Sequence, residues 1–156
     1  MVSCIDKNDR FLNISIKDNL NIVNDNFEAI VFICKKLGIH DEILKLKNGY
    51  DTVLNSNDDT LKQNTKVLLN IARILLKNTR IMIFDDVLSL LNKESKEKVL
   101  SILNDIKDKH TIIIISKEDS IISVSDNIIL LDDGIVYSTG TFGDISKDKL
   151  YKKIVG

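Results

Sequence analysis

The sequence predicts an α/β fold, with a parallel sheet flanked by helices and followed by a β-hairpin. Two apolar strands, Ile81–Phe84 and Thr111–Ile115, are separated by a segment of helical periodicity from Lys93 to Lys107. A strand, a crossover helix and a second strand form a βαβ unit, whose strands are parallel. The hairpin is predicted from Asp132-Asp133-Gly134 between two further apolar runs, because an Asp-Gly pair favours a tight turn.

The composition indicates a single soluble domain. The chain has 156 residues, of which 44% are hydrophobic and 29% charged, and a chain of this size can form one core. The formal net charge of −1 gives no overall field that would attract nucleic acid or an anionic membrane. No apolar run approaches the ~20 residues of a membrane span, and no signal peptide is visible. We therefore expect a cytoplasmic protein without nucleic-acid partners or direct membrane insertion.

Cysteine and histidine positions do not predict a metal site. Cys4 and Cys34 lack the spacing of a zinc site or a disulfide framework, so both are predicted to be small buried residues in a reducing compartment. His40 and His110 have no partner at ligand spacing.

Elements of the N-terminal part are predicted from apolar periodicity and capping residues. Met1–Ile5 is predicted to be a strand and Ser15–Leu20 a short helical turn. Asp25 is expected to cap a helix over Asn26–Leu37, and Gly38 stands at the position of a left-handed C-terminal cap. Two shorter features follow, a helix over His40–Leu46 and a turn at Gly49.

The remaining elements include one long amphipathic helix. The polar residues 55–60 are expected to cap that helix over Leu61–Lys77, because their short side chains can accept from its first N–H groups. Asn92 is the expected cap of the crossover helix. A further apolar strand is predicted over Asn127–Leu131, and a closing helix over Lys147–Val155.

Two carboxylates at the end of a buried strand are the first candidate site. Asp85 and Asp86 directly follow Ile81–Phe84, and ligands of open α/β sheets bind at the carboxyl ends of the strands. The simpler alternative is a pair of carboxylates that caps the next turn and faces water.

Four segments occur in the order and spacing of one protein family. They lie after the first strand, after the N-terminal helices, at the end of the long helix and in the hairpin: Phe11–Leu20, Asn48–Val53, Ile71–Asn78 and Leu130–Val136. Together they resemble the ATP-binding cassettes of ABC exporters, from the segment after the Q-loop to the C-terminal hairpin. The resemblance implies a truncated P-loop NTPase-like parallel sheet with an inserted helical subdomain and a C-terminal β-hairpin.

The resemblance divides the chain into three parts of a single partial nucleotide-binding domain. Residues 1–17 would be the Q-loop strand and loop, 18–78 the helical subdomain, and 79–156 the Walker B strand, the switch strand and the hairpin. No G-x-x-x-x-G-K-[ST] loop occurs in the sequence, although the family carries this loop on an N-terminal strand to hold the phosphates. We therefore expect the first third of a cassette to be absent.

The missing strand has a consequence for the sheet. In the family it lies between the strands that correspond to Thr111–Ile115 and Asn127–Leu131. Without it both strands have an unpaired edge, and such edges recruit other chains. We expect a sheet that is either rearranged, with the two strands closed against each other, or completed by another chain.

The resemblance assigns roles at the candidate site. Asp85 corresponds to the Walker B aspartate on the magnesium side, and Asp86 stands in place of the catalytic glutamate. Lys7 replaces the Q-loop glutamine, Lys117 the switch histidine and Asn92 the D-loop aspartate. Lys7 and Lys117 are then either solvated surface lysines or cations that pair with Asp85 and Asp86 in place of a metal.

The signature of the family is also altered. The place of Leu-Ser-Gly-Gly-Gln is occupied by Leu61-Lys62-Gln63-Asn64-Thr65. The serine hydroxyl and both glycines, which let backbone amides approach the γ-phosphate, are absent. This segment is either a degenerate phosphate-binding signature or a plain helix N-terminus, which attracts anions weakly in any case.

ATP and magnesium are the cofactors that the resemblance implies. The leading hypothesis is a degenerate cassette that does not hydrolyse ATP alone and serves an exporter-like system. Its implied partner is an ABC transmembrane domain or an intact cassette, which would hold it at the inner face of the cell membrane; a homodimer is a further alternative. Two other hypotheses stay open: a non-catalytic module that regulates an intact cassette, and a remnant or split part of an ATPase whose P-loop is on another chain.

Overall fold

The chain forms two compact units, Met1–Ile115 and Ser116–Gly156. A computed structural model describes residues 1–8, 10–55 and 60–155. No helix in this part of the chain is long and apolar enough to cross a membrane.

The first unit is built on a parallel three-stranded sheet. Its strands are β1 (Val2–Ile5), β2 (Ile81–Asp85) and β3 (Thr111–Ile115), in the order β1-β2-β3. Both pairs are parallel, and helix α5 (Lys93–Ile106) connects β2 to β3. The predicted βαβ unit is therefore confirmed.

Helices between β1 and β2 form the rest of this unit. They are α1 (Ile16–Asn21), α2 (Phe27–Lys36), α3 (His40–Leu44), a 3₁₀ turn (Gly49–Asp51) and α4 (Gln63–Lys77). Helix α4 packs against both α2 and β1. Its apolar face recurs every three to four residues, which buries one broad stripe of the helix. The buried apolar members of this stripe are Val67, Leu68, Leu69, Ile71, Ala72, Ile74, Leu75 and Leu76.

The helix ends confirm two predicted caps and correct two others. Gly38 has a φ of +77°, and the Asn92 side chain accepts from the Ser95 N–H at 2.9 Å, as predicted. Helix α2 is capped by Asn26 and not by Asp25: the Asn26 side chain accepts from the Ala29 N–H, three residues on, where a capping oxygen reaches.

The start of helix α4 is also corrected. The helix begins at Gln63, two residues later than predicted, and its N-cap residue Lys62 makes no side-chain capping bond. Residues 56–59 of the predicted capping loop lie outside the described residues. Lysine carries no acceptor, so the first N–H groups of α4 receive none from this side chain.

The second unit contains an antiparallel hairpin and three short helices. Strands β4 (Ile128–Asp132) and β5 (Ile135–Gly140) pair across a turn in which Asp133 and Gly134 have φ values of 45° and 77°. Two consecutive positive φ angles are those of a type I′ turn, which confirms the hairpin. The helices α6 (Asp119–Ile122), α7 (Phe142–Ile145) and α8 (Lys149–Val155) accompany it. Ile128, Leu130, Ile145 and Tyr151 form its buried core.

The pairing of strands β3 and β4 distinguishes between the two alternatives that the sequence left open for the sheet. Strand β3 pairs with β2 and strand β4 with β5, and within the described residues β3 and β4 belong to different sheets. Closure of these two strands against each other was one of two alternatives, and it is not found; completion of the sheet by another chain stays a prediction. Ile113 and Ile115 on β3 stay 44% and 51% exposed, which is unusual for a parallel strand, since parallel sheets are normally covered on both faces.

The two cysteines differ in exposure. Cys34 is buried, as predicted, but Cys4 is exposed. Strand β1 lies at the edge of the sheet and alternates between exposed and buried residues, so Cys4 falls on its outer face. Burial raises the pKa of the Cys34 thiol to about 11, and contact with the Tyr50 hydroxyl offsets only part of this shift.

This difference predicts stepwise thiol labelling. At pH 8 a thiol-specific reagent should modify one cysteine rapidly and the second only on unfolding, because Cys34 is both inaccessible and protonated below its raised pKa. Time-resolved labelling of the native protein measures this. Cys4→Ser should remove the rapid phase; a rapid phase that persists in that variant would contradict the assignment.

The cap of α5 predicts a loss of stability. Asn92→Ala removes the acceptor for the Ser95 N–H, and loss of such a cap lowers the free energy of unfolding by about 1 kcal/mol. Urea denaturation measures the change. Asn104→Ala, on an exposed position of the same helix, is the matched control and should leave the midpoint unchanged or raise it slightly.

Candidate functional site

The candidate site lies at the carboxyl ends of β1 and β2. In the parallel register Ile5 lies beside Phe84, so the residues two positions further along each strand emerge at the same edge. These residues are Lys7 and Asp86, and the Lys7 ammonium forms an ion pair with the Asp86 carboxylate. Their side chains are 42% and 44% exposed, so the pair is open to solvent on one side.

The backbone of Asp86 is held in an uncommon conformation. Its φ of 50° lies in the left-handed region, which aspartate enters more readily than most other side chains. The Asp86 N–H donates to the Ile115 carbonyl at 3.0 Å, and its carbonyl accepts from the Ser89 hydroxyl at 2.6 Å. These bonds tie the end of β2 to β3 and to the 3₁₀ helix Val87–Leu90, so the direction of the Asp86 side chain is set by its backbone.

The position of Lys7, the partner of Asp86, is set by a tight turn. The Asn8 N–H donates to the Asp6 carboxylate at 2.6 Å, which closes a short loop with Lys7 at its centre. Asp85, which directly precedes Asp86 in the chain, is exposed at the end of β2. The structure therefore brings Lys7, Asp85 and Asp86 to one edge of the sheet.

Asp85, the carboxylate to which the resemblance assigns magnesium, is exposed at the end of β2, and that assignment stays a prediction. The Lys7 ammonium is paired with the neighbouring Asp86, and an ammonium group offers no acceptor to a cation. Within residues 1–8, 10–55 and 60–155, no three His, Cys, Asp or Glu side chains lie close enough together to hold an ion.

The segment at the signature position makes structural contacts within the first unit. The Asn64 side chain accepts from the Asn92 N–H and donates to the Ser95 hydroxyl, both at 3.0 Å. The Thr65 hydroxyl donates to the Glu42 carboxylate at 2.6 Å. Asn64 thus ties the start of α4 to the start of α5, and Thr65 ties it to α3.

The other members of this segment differ in burial. Leu61 is 5% exposed and belongs to the core, whereas Lys62 and Gln63 are exposed. The sequence suggested either a degenerate phosphate-binding signature or a plain helix N-terminus. It did not indicate the hydrogen bonds of Asn64 and Thr65, because both depend on helices distant in sequence.

A cleft beside the ion pair is a feature that sequence reasoning missed. It has a volume of about 340 Å³ and lies between the loop after β1, the first half of α4 and the 3₁₀ helix after β2. Lys7, Arg10 and Lys66 supply positive charge to its lining, and Phe11, Leu54, Val67, Val87 and Leu90 supply apolar surface. The signal in the sequence was the polar run after β1, which contains Lys7 and Arg10 and ends at Phe11.

The switch-position lysine lies in the other compact unit. Lys117 is exposed in the segment between β3 and α6. The interpretation that it pairs with a strand-end carboxylate stays a prediction. Of the two lysines singled out from the sequence, Lys7 is the one that the structure shows paired.

Comparison with known proteins finds relatives that match most of this chain. No protein-family model matches the chain. The leukotoxin export ATP-binding protein LtxB of Aggregatibacter actinomycetemcomitans is 31% identical over 140 residues, 88% of this chain and 20% of that protein. The alpha-hemolysin translocation ATP-binding protein HlyB of Escherichia coli O157:H7 is 33% identical over 144 residues, 90% of this chain and 20% of that protein.

A third relative and a solved structure agree with these two. The uncharacterized ABC transporter ATP-binding protein YfiB of Bacillus subtilis is 34% identical over 143 residues, 90% of this chain and 25% of that protein. The structure of a bacterial Atm1-family ABC exporter with ATP bound superposes with a TM-score of 0.89 at 28% identity, covering 98% of this chain and 27% of that one. The chain thus spans a fifth to a quarter of the curated relatives it matches.

The fold and its relatives together define the class. A parallel sheet with carboxylates at the end of its central strand, a helical insertion and a C-terminal hairpin is the architecture of an ATP-binding cassette. The chain is homologous to ABC exporter ATP-binding proteins and corresponds to a C-terminal portion of their cassette.

The uncapped start of α4 predicts a stabilising substitution at the signature position. Lys62→Ser should raise the free energy of unfolding by about 1 kcal/mol, because Lys62 has the extended N-cap backbone but makes no capping bond. Chemical denaturation measures the gain. Lys45→Ser, at the C-terminal cap of α3, removes the same charge without creating an N-cap and should give no gain.

Proposed function

We propose that the chain is a degenerate ATP-binding cassette portion that does not hydrolyse ATP alone and works within an exporter-type transport system. The observation that carries the proposal is the ion pair of Lys7 with Asp86. Asp86 stands where the family has its catalytic glutamate, and phosphoryl transfer to water needs a positioned nucleophile and a metal that neutralises charge. A carboxylate already engaged by an ammonium group is poorly suited to either task.

The signature position supports the same proposal. Asn64 and Thr65 form hydrogen bonds to residues of α3 and α5 and to the α5 cap, and the glycines that let a phosphate approach the backbone are absent from Leu61–Thr65. Misplacement of reacting groups by about 1 Å can lower a rate ~100-fold. We therefore infer that ATP is at most a weakly held ligand of this chain.

The partner we propose is a transmembrane domain or an intact cassette of an ABC exporter. The relatives carry the words export, translocation and transporter in their names, and each extends well beyond the region that this chain matches. The cleft lined by Arg10 and Lys66 carries positive charge over an apolar floor, next to the Lys7–Asp86 ion pair and to Asp6, which suits a partner segment with polar or acidic and apolar side chains. Such a partner would hold the chain at the inner face of the cell membrane.

A second candidate function rests on the edge of β3. Four consecutive isoleucines follow Thr111 in this strand, and Ile113 and Ile115 remain about half exposed at 44% and 51%. Within the described residues β3 is the last strand of the order β1-β2-β3, and a strand with an unpaired edge suits pairing with a strand from another polypeptide. In this alternative the chain is one part of a split ATPase, with the P-loop strand supplied in trans.

The proposal predicts that magnesium-ATP leaves the stability of the purified chain unchanged. A ligand at 100 times its dissociation constant adds about 2.7 kcal/mol to the free energy of unfolding, so binding at millimolar ATP would raise the melting temperature visibly. We expect no such rise and no phosphate release above a buffer blank.

Two results would argue against the proposal. One is an upward shift or turnover that Asp85→Asn abolishes, since this would indicate a working site at the end of β2. The other is hydrolysis that appears only when a P-loop-bearing polypeptide is added, which would favour the split ATPase.

A further inference from the structure

We propose that the uncovered face of the three-stranded sheet is a contact surface for a second copy of this chain. This surface, called here the bare face, is formed by alternate residues of the three strands: Val2, Cys4, Ile81, Ile83, Thr111, Ile113 and Ile115. The proposal goes beyond the proposed function and depends neither on ATP nor on an exporter partner.

The winding of the sheet explains why one face is bare. Its strand order is β1-β2-β3, so the connections from β1 to β2 and from β2 to β3 move across the sheet in the same direction. Because crossovers between parallel strands are right-handed, two connections that move in the same direction lie on the same face. Helices α4 and α5 belong to these two connections, and neither connection crosses the other face.

Burial along the strands agrees with this winding. On the covered face, Met82 and Phe84 are almost completely buried. On the bare face, Val2, Ile113 and Ile115 are each about half exposed. Parallel sheets are normally covered on both faces, so an apolar sheet face that stays in water predicts a partner.

The chemistry of the bare face favours a second copy as that partner. None of its seven residues is Asp, Glu, Lys or Arg, so two copies can meet there without placing like charges together. Cys4, Ile83 and Ile113 are in register and form one row across all three strands. Two sheet faces pack against each other at about 10 Å, and a two-fold contact joins a surface to itself.

A carboxylate at the end of the bare face restricts the orientation of the two copies. Asp85 follows Ile83 in the alternation along β2 and is exposed at the carboxyl end of the strand. Two copies with parallel strands would bring these carboxylates to the same end of the interface, where like charges repel each other. Two copies with antiparallel strands keep them at opposite ends. We therefore expect an antiparallel two-fold dimer.

The size of the bare face predicts that the dimer is weak. A stable interface usually contains about 20–30 residues from each partner, whereas the bare face has seven. Interfaces of such limited size belong to transient complexes. The dimer should therefore dissociate on dilution.

The test is sedimentation equilibrium of the full chain at increasing concentration. The weight-average mass should rise from 17.7 kDa toward twice this value. Ile113→Lys should lower the association constant at least about tenfold, because an apolar contact is lost and a charge would be buried in its place. Val2→Lys, on β1 at the other side of the bare face, should weaken association as well.

Ile129→Lys is the matched control. Ile129 is an exposed isoleucine of β4, in the other compact unit, so the substitution adds the same charge away from the bare face. This variant should associate like the unsubstituted chain. Circular dichroism of each variant establishes that it is folded, and Val2→Lys alone carries the test if Ile113→Lys does not fold.

Three outcomes would overturn the proposal. The chain could remain monomeric at the highest concentration reached, or the bare-face variants could associate as tightly as Ile129→Lys. The third outcome is a mass that rises beyond that of a dimer, or association that Ile113→Lys weakens and Val2→Lys leaves intact. Either of these results would indicate addition at the edge of β3 and not a closed contact between two faces.

Discussion

The burial of helix α4 is the constraint on which the first unit depends. Ten of its 15 residues are buried, and the helix packs on the sheet through β1 and on the inserted helices through α2. Each fully buried leucine or isoleucine contributes about 1.5–3 kcal/mol relative to exposure, so the apolar face of α4 contributes substantially to holding the sheet and the inserted helices together. The loop with Lys7 and the Asn64 contacts are positioned by this packing.

Most of the fold was predictable because its signals are local. β3 matches its predicted bounds, and β1 and β2 differ from theirs by one residue at one end, since short runs rich in β-branched and other apolar residues favour strands. The Asp-Gly turn was equally plain. The errors in the predicted caps lie at helix starts, where several short polar residues are candidates: helix α2 is capped by Asn26 and not by Asp25, because the Asn26 side-chain oxygen accepts from the Ala29 N–H.

The site was predictable only in part. The strand end that presents Asp85 and Asp86 followed from the sequence, and pairing of Lys7 with a carboxylate was one of two alternatives for that residue. The contacts of Asn64 with Asn92 and of Thr65 with Glu42 join residues far apart in the chain. They could therefore not be predicted from a local sequence pattern. The cleft depends likewise on three segments that meet only in the folded unit.

The exposed isoleucines of β3 have a consequence for the isolated chain. Within the described residues β3 ends the strand order β1-β2-β3, and Ile113 and Ile115 are 44% and 51% exposed. A strand that is both apolar and unpaired at one edge is a template on which other chains can add, so the solubility of the first unit depends on whether this strand is covered.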